Sequence, residues 1–502
     1  MKLKVKFLDV STEPAVLMGV EDAAKIGGKD NDRVKIEGKR SITAHLNVTD
    51  DFITPGEAII SSMLKKDLGA KDGDELDIFY SSSPESVRHI RKKMDNEKLS
   101  RDEIYAVVND IRDNRLSKIE VSAWLTALYI NGMDIEEIAN FTEAMVDTGD
   151  RIVFERSPVF DFHSLGGVPG NKITPIVVSI VAAAGLMLPK TSSRAISSAC
   201  GTSDFVETFC DVELEADRLK EISERVGGVL AWGGSMNLAP VDDMVIKVEH
   251  PLGINPRAQM LASIMSKKVA IGATHLVVDI PTGAGTKVPT IEVARAYARD
   301  FMDLGEKLNM HIECAITYAD QPVGNAIGPK LEAIECIRIL EGDKHPASVV
   351  EKACDVAGIV LEMGGIPNGG EKARELLESG KALKKFKEIV AAQGGNPDIK
   401  SSDLAPGEYV ADVISSKSGY IHSIKNKDLV AIAKATGAPS DKGAGILLYK
   451  KKGQRVEKGE VLFQLYGDNA AKVQRAKELA EKYQPFSIEG MLLKRVTATR
   501  VR

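Results

Sequence analysis

Three loops rich in glycine, serine or lysine each follow a short apolar segment, and their residue types are suited to binding phosphate. Glycines let backbone N–H groups approach an anion, and a helix that begins after such a loop adds partial positive charge. The loops span residues 163–172, 190–204 and 281–287. Lys287 ends the third loop just before a helix predicted from about Pro289, where its charge adds to the helix dipole; an exposed lysine on a turn is the alternative.

The first loop contains Gly167, and His163 and Ser164 are further candidates for contact with a ligand. It is not a P-loop, because Asn171 stands where that motif requires a glycine before the lysine. A nucleotide triphosphatase is therefore excluded, whereas a tight turn with a structural histidine stays open. We predict that Thr174 caps the following helix.

The second loop gathers hydroxyl groups around a single arginine, Arg194. A guanidinium group can hold two phosphate oxygens at once, and hydroxyl groups bind phosphate without adding charge. The alternative is a serine-rich loop that only caps a helix predicted over residues 204–209. If the hydroxyl groups and Arg194 act together, the loop is predicted to bind phosphate.

A helix predicted to follow Asn255 carries two polar side chains on one face. Ser263 and Lys267 are four residues apart, so they lie one helical turn apart. A hydroxyl and an ammonium group in this arrangement suit a polar planar ligand, and a solvated polar stripe is the alternative. Asn255 is placed as the N-cap, with Pro256 at the first helical position.

Short apolar segments alternate with predicted helices over residues 152–361, which is typical of parallel βα units. These strands and helices must position the three loops. Ligands in open α/β sheets bind beyond the carboxyl ends of the strands, so the three loops should converge. The predicted fold class is multidomain α/β. Its parts are an N-terminal small β domain (1–84), an α-helical domain completed by later helices (85–160), a central α/β domain with a mainly parallel sheet (161–400) and a C-terminal α+β domain (401–502).

Composition restricts the classes of function. Of the 502 residues, 43% are apolar and 27% charged, as in an ordinary globular protein, and the net charge of −6 gives no general attraction for nucleic acid or anionic lipid. The five cysteines form no CxxC pair, and the eight histidines show no metal-ligand spacing. The N-terminus alternates lysine with apolar residues, unlike a signal peptide, and the apolar segment 176–188 is too short to span a membrane. We expect a cytoplasmic protein without metal, nucleic acid or membrane partners.

Several of these segments resemble the thymidine and pyrimidine-nucleoside phosphorylase family, and more closely its archaeal branch. The resemblance covers residues 84–502, and the N-terminal β domain is itself similar to the archaeal branch. The matching segments are His163-Ser164-x-Gly166-Gly167-Val168, Ser193-Arg194 with Gly201-Thr202-x-Asp204, Ala262-Ser263-Ile264-Met265-x-Lys267-Lys268, Gly283-x-Gly285-x-Lys287, and 379–395.

The resemblance implies phosphorolysis of nucleoside 5′-monophosphates: AMP and phosphate give adenine and ribose 1,5-bisphosphate in AMP catabolism, with CMP and UMP as further substrates. Phosphate is a co-substrate and no cofactor is implied. A homo-oligomer is expected, assembled through the N-terminal β domain. By resemblance the nucleotide or phosphate contacts are Gly167, Ser193, Arg194, Ala195, Ile196, Ser197, Ser198 and Thr202, the base contacts are Ser263 and Lys267, and Lys287 contacts the ligand.

The sequence departs from the family pattern in three places. Phe162 stands where the thymidine enzymes place a lysine before the His-Ser pair, so one phosphate-binding charge is missing. The hydroxyl-rich segment 193–200 offers extra donors, which suggests an extra phosphate, as on a 5′-nucleotide. Asn255 stands where the archaeal branch has an aspartate as proton donor, and an amide cannot act as an acid by ionisation.

Two other enzyme classes and one carrier function stay open at this point. A thymidine or pyrimidine-nucleoside phosphorylase shares the motifs. A phosphoribosyltransferase of the anthranilate type shares the plan but would bring Mg²⁺, for which Asp242-Asp243 is the available acidic pair. The C-terminal segments around Gly419 and Val456 resemble biotinyl or lipoyl carrier modules. Because the carried lysine motif is not evident, we interpret this domain as structural.

Overall fold

A computed structural model of the protein describes residues 1–8, 14–195 and 198–492. It divides into two compact units. The first consists of Met1–Gly149 and Ala239–Ser266, and the second of Asp150–Leu238 and Lys267–Arg502.

The first unit opens with a closed six-stranded β-barrel, in the order β1-β5-β2-β4-β3-β6. Leu3 and Val5 point into its core while the lysines between them are exposed, as the period of two predicts. Two short helices, α1 (Val20–Lys25) and α2 (Lys65–Leu68), accompany the barrel. Its strands are β1 (Lys2–Leu8), β2 (Ala15–Gly19), β3 (Arg33–Glu37), β4 (Ser41–Thr49), β5 (Glu57–Ser61) and β6 (Glu75–Ser81).

A helical bundle follows the barrel within the same unit. Ser100, Ser117 and Asp134 form capping boxes that define the starts of three of its helices. A later helix packs against the second and third of the bundle, so the bundle is built from two separate parts of the chain. The helices are α3 (Ser86–Met94), α4 (Arg101–Arg112), α5 (Lys118–Asn131), α6 (Ile135–Val146) and, later in the chain, α10 (Pro240–Leu252) and α11 (Arg257–Ala270), whose last turn belongs to the second unit.

The second unit contains the parallel sheet that the βα pattern predicts. Strand β10 (His275–Thr282) lies in the middle, with β7 (Phe160–Ser164) and β11 (His311–Tyr318) parallel on either side. This central place explains why its sequence is mostly apolar. A second parallel pair, β8 (Leu188–Ser192) with β9 (Gly228–Trp232), is joined to β7 where Phe160 N donates to Met187 O.

Helices cover these strands and supply most of the core. Helix α7 is buried along almost its whole length, which its apolar sequence requires. The helices are α7 (Thr174–Ala183), α8 (Thr202–Val206), α9 (Ala216–Val226), α12 (Ile291–Lys307), α13 (Pro329–Leu340), α14 (Ala347–Met363), α15 (Gly369–Glu378) and α16 (Lys381–Ala392).

The C-terminal part of the second unit has two antiparallel sheets, ordered β12-β15-β17-β13 and β16-β14-β18. The first sheet includes β12, which lies before α13 in the chain and joins this part to the α/β part. The elements are β12 (Ala326–Ile327), β13 (Tyr409–Ile414), β14 (Gly419–Ile424), α17 (Asn426–Ala435), β15 (Gly445–Leu448), β16 (Arg455–Val456), β17 (Val461–Gly467), α18 (Ala470–Tyr483) and β18 (Phe486–Glu489). The predicted fold class is confirmed, and no helix of the described residues is long and apolar enough to cross a membrane.

A buried ion pair fastens α3 to α6 in the bundle. The Lys93 ammonium lies 3.0 Å from Glu137 Oε1, and both side chains are almost fully buried. Glu137 also accepts hydrogen bonds from the backbone N–H groups of Leu99 and Asp134. The carboxylate is therefore fully satisfied only while the lysine is present.

Replacing Lys93 with methionine should lower the free energy of unfolding of the bundle by about 3 kcal/mol, because it leaves a buried carboxylate without its cation. Urea unfolding followed by the fluorescence of buried Trp124, in a chain whose Trp232 is replaced by phenylalanine, measures this change. The control is Lys98→Met, which removes an exposed pair with Glu136 and should cost less than about 1 kcal/mol. Equal losses from the two substitutions would contradict the assignment.

Candidate active site

The first and third loops meet at the carboxyl ends of neighbouring strands. The first follows β7 and the third follows β10, which pairs with β7 in parallel. Gly167 has φ +85°, and a β-carbon there would lie 2.8 Å from the backbone nitrogen of Lys287. Only glycine permits this approach. Two of the three predicted phosphate loops are thus brought together as expected.

The boundaries of the adjoining helices correct three predictions. Helix α7 already includes Thr174, because Val177 N donates to Ile173 O, so Ile173 occupies the cap position. Helix α8 spans Thr202–Val206 rather than residues 204–209. Helix α11 begins at Arg257, one residue later than predicted.

Beneath the first loop, a buried carboxylate holds two lysines. Asp161 is fully buried in β7, and its oxygens lie 2.6 Å from Lys268 Nζ and 3.3 Å from Lys190 Nζ. Lys190 also donates to the carbonyl oxygens of Phe162 and Thr191. Burial lowers the pKa of Lys190 to about 7, so two lysines against one carboxylate leave a partial excess of positive charge at neutral pH. Such an excess in a poorly solvated place suits an anionic ligand.

His163 lies at the end of β7, and its pKa depends on its burial and on nearby lysines that include the two of this cluster. Desolvation and the charges of four lysines hold the pKa of its imidazole well below the ordinary value of 6.5. The imidazole is therefore neutral at neutral pH and can take part in hydrogen bonds without carrying charge. The four lysines, in order of their effect, are Lys268, Lys190, Lys287 and Lys267.

Phe162, the residue that replaces the expected lysine, is buried in the core of the α/β part. The Lys190 ammonium lies 5.0 Å from the centre of its ring, a cation–π contact. Lys190 therefore brings a positive charge close to Phe162, although burial lowers the pKa of this lysine. The charge absent from position 162 is in part restored by a neighbouring strand.

Ser164 is oriented by the groups that donate to it. Its Oγ accepts a hydrogen bond from Asn171 Nδ2 at 3.0 Å and a long one from Gly166 N at 3.5 Å. Asn171 also approaches the buried carboxylate of Asp279, which lies 2.9 Å from Lys352 Nζ. Because the lone pairs of Ser164 are taken, its proton is available to donate to a phosphate oxygen.

The second loop is folded around a carboxylate. Asp204 accepts hydrogen bonds from the backbone N–H groups of Ala195 at 2.7 Å and Gly201 at 2.8 Å. Ser198 donates to the carbonyl oxygen of Cys200. Thr202 is the first residue of α8, and Ser193 lies between the end of β8 and Arg194. Ile196 and Ser197 lie outside the described residues.

Arg194 is engaged by acidic side chains. Its Nη1 lies 2.5 Å from Glu207 and its Nη2 lies 2.9 Å from Glu213, while the guanidinium group stacks on Trp232 at 4.7 Å. Lys442 of the C-terminal part pairs with the same Glu207. Arg194 and its two carboxylate partners line a cavity of about 350 Å³. A phosphate would have to compete with these carboxylates for the guanidinium group.

Two predicted site residues belong to the first unit. Asn255 Nδ2 lies 3.8 Å from the sulfur of Met260. Ser263 donates a hydrogen bond of 2.8 Å to Asp242, which is fully buried in the first turn of α10. Lys267 lies on the same helix as Ser263, in the part that belongs to the second unit.

Sequence reasoning missed the buried charges that support the site. Asp161 and Asp279 each interrupt an apolar strand sequence, and Asp242 is buried in the first turn of α10. A charge is rarely buried unless it is paired, so a carboxylate inside a predicted core strand was the available signal. Lys190 is the first residue of the second loop, but its residue type and position give no sign of the pairing with Asp161.

Three family matches cover most of the chain. Residues 87–149 match the helical bundle domain of a glycosyl transferase family, and residues 156–383 match the a/b domain of a glycosyl transferase family. Residues 420–487 match the pyrimidine nucleoside phosphorylase C-terminal domain. These matches define a pentosyltransferase of the phosphorylase class.

Relatives that match along almost the whole chain identify one family within this class. AMP phosphorylase of Thermococcus kodakarensis is 48% identical over 99% of both chains, and AMP phosphorylase 1 of Archaeoglobus fulgidus is 47% identical over 95% of both. AMP phosphorylase of Methanococcoides burtonii is 46% identical over 99% of both. The chain belongs to the AMP phosphorylase family.

A solved structure, anthranilate phosphoribosyltransferase from Thermus thermophilus, shares the fold. It superposes with a TM-score of 0.52 at 21% identity and covers 61% of this chain and 99% of its own. This likeness concerns the fold alone.

The His163 imidazole should titrate well below pH 6.5, and Lys287→Met should raise its pKa because one of the four neighbouring charges is removed. NMR of protein labelled at the histidine ring carbons follows this titration directly. Lys307→Met, at the end of α12, is the control and should leave the His163 pKa unchanged. A His163 resonance that titrates near 6.5 in the unsubstituted protein would refute the electrostatic account.

Proposed function

We propose that this chain catalyses the phosphorolysis of nucleoside 5′-monophosphates, converting AMP and phosphate into adenine and ribose 1,5-bisphosphate. The observation that carries the proposal is the end-to-end similarity to the AMP phosphorylases, at 46–48% identity. The excess positive charge around Asp161 supports it, because phosphate attack requires an anion to be held next to the sugar. CMP and UMP are further substrates of the proposed reaction.

In this reaction the bond between C1′ and the base nitrogen breaks, and a bond between C1′ and a phosphate oxygen forms. The sugar carbon becomes oxocarbenium-like, so the attacking phosphate and the leaving base both need oriented hydrogen bonds. Ser164 donates its free proton to the attacking phosphate, beside the neutral imidazole of His163. Lys287 and the backbone at Gly167 complete this side of the site.

The second loop is assigned to the 5′-phosphate. Backbone N–H groups and hydroxyls near the start of α8 provide donors, and the helix start adds partial positive charge. Arg194 joins them once it exchanges a carboxylate partner for phosphate. The assigned residues are Ser193, Arg194, Ala195, Ile196, Ser197, Ser198 and Thr202, with Ser263 and Lys267 at the base.

We further infer that the enzyme acts in the cytoplasm as a homo-oligomer in AMP catabolism, with no metal or cofactor and no nucleic-acid or membrane partner. Thymidine phosphorolysis and phosphoribosyl transfer are not favoured, because the full-length relatives cited above bear the name of the AMP enzyme. The phosphoribosyltransferase likeness rests on fold at 21% identity.

Phosphate-dependent release of base from AMP, CMP, UMP, adenosine and thymidine, measured in the presence of a chelator, tests the proposal. The 5′-monophosphates should be cleaved at least tenfold faster than the nucleosides, as kcat/KM, because the second phosphate gains charge-assisted hydrogen bonds. Omission of phosphate is the control and should abolish release. Faster cleavage of thymidine would indicate a thymidine or pyrimidine-nucleoside phosphorylase instead. A strict need for Mg²⁺ would indicate a phosphoribosyltransferase.

Asn255→Asp should raise kcat for AMP by roughly tenfold or more, because a carboxyl group can protonate the leaving base and an amide cannot. The pH profile of kcat should gain a new ionisation that the unsubstituted enzyme lacks. Asn309→Asp, on an exposed turn, serves as the matched control. An unchanged kcat and pH profile in Asn255→Asp would exclude a role in proton transfer.

A further inference from the structure

The bridging segment, residues 319–325 between β11 and β12, contacts two of the phosphate-binding loops. Asp320 Oδ1 accepts a hydrogen bond of 2.7 Å from the backbone N–H of Ala284 in the third loop. Val323 N donates one of 3.0 Å to the carbonyl oxygen of Pro169 in the first loop. The position of this segment therefore limits where the backbones of both loops can lie.

The first loop packs directly on the bridging segment and is tied to it by a buried lysine. A β-carbon on Gly170 would lie 2.5 Å from the carbonyl oxygen of Val323, so the two backbones are in close contact. Lys172 is fully buried, and its ammonium group donates to the same carbonyl oxygen at 3.1 Å and to Glu335 at 2.5 Å. Glu335 in turn accepts from the backbone N–H of Asn325 at 3.0 Å. The α/β part thus fixes the bridging segment through buried polar groups of its own.

A lysine of the C-terminal part holds the same segment. Lys451, between β15 and β16, donates hydrogen bonds of 2.6 Å to the carbonyl oxygens of Pro322 and Gly324. These two residues flank Val323 and are buried. Burial lowers the pKa of Lys451 to about 7, with the charge of Lys172 as a further cause. A neutral amine still has two N–H bonds, so Lys451 can make both contacts in either protonation state.

Peptide planarity carries the Lys451 contact to the first loop. The Pro322 carbonyl and the Val323 N–H belong to one planar peptide unit, so Lys451 also orients the N–H that donates to the loop. Farther along this loop, Asn171 donates to Ser164, the hydroxyl assigned to phosphate. A shift of the bridging segment would therefore move the groups that hold the anion.

We propose that Lys451 is a positioning residue for the attacking phosphate, because it fixes the bridging segment on which the first loop packs. The inference rests on the proposed function, which places this phosphate at the first loop. It gives the C-terminal part a role in phosphate binding without any contact between Lys451 and the ligand.

Initial rates of the full chain, with phosphate and AMP varied in turn, test the proposal. Lys451→Met should raise the KM for phosphate roughly five- to tenfold, the value of about one hydrogen bond. The KM for AMP should change by less than about twofold, because the 5′-phosphate is assigned to the second loop. Lys451→Arg keeps two donors and should restore the KM for phosphate. Lys450→Met is the matched control and should behave as the native chain, because Lys450 pairs with Glu460 inside the C-terminal part.

Hydrogen–deuterium exchange of the unsubstituted chain gives a second measurement that does not depend on the folding of a variant. Saturating phosphate should slow amide exchange about twofold or more in the bridging segment and in residues 449–454, because coupled sites stabilise each other reciprocally. Strand β13, also in the C-terminal part, is the internal control and should exchange at the same rate with and without phosphate.

The outcomes separate the inference from the proposed function. An unchanged KM for phosphate in folded Lys451→Met, or an equal rise in the KM values for phosphate and AMP, overturns the inference alone. Unchanged exchange at residues 449–454 in saturating phosphate does the same. Failure of every 5′-monophosphate to release its base with phosphate overturns both.

Discussion

The buried carboxylate of Asp161 holds the ammonium groups of Lys190 and Lys268 together below the first loop. Lysines repel one another and lose hydration when they are buried, so they can share this place only around an opposite charge. The arrangement ties three separate chain segments to one point: β7, β8 and the end of α11. Burial, together with the charges of these two lysines and of Lys287 and Lys267, holds the pKa of the His163 imidazole well below its ordinary value.

Buried polar partners orient hydroxyl groups within each unit. In the second unit Asn171 donates a hydrogen bond to Ser164, and in the first unit Ser263 donates one to Asp242. These orientations are set before any ligand binds, because the partners are already fixed by packing.

The C-terminal part of the second unit is linked to Arg194 of the second loop by two successive ion pairs. Lys442 pairs with Glu207, and Glu207 pairs with Arg194. Gly328 has φ +122°, and a β-carbon there would overlap the carbonyl oxygen of Ala444, so the two parts approach at their backbones. The C-terminal part therefore contacts the α/β part through both an ion pair and a close backbone approach.

The sequence by itself determined the class of each structural element, through side-chain periodicity and turn residues. The signals were the alternation of Leu3 and Val5 with lysines, the mostly apolar sequence of β10, and the glycine loops after the strands. These are local properties, because side-chain period and backbone freedom depend only on neighbouring residues. The sequence also identified Gly167 and Lys287, which the structure brings into contact. Only the tertiary structure decided that Arg194 is held by carboxylates, that Lys190 lies beside Phe162, and that Ser164 accepts a hydrogen bond from Asn171 while Ser263 donates one to Asp242. These partners lie between 7 and 28 residues apart in the chain. A contact between side chains of different elements has no signature in the sequence spacing of either residue.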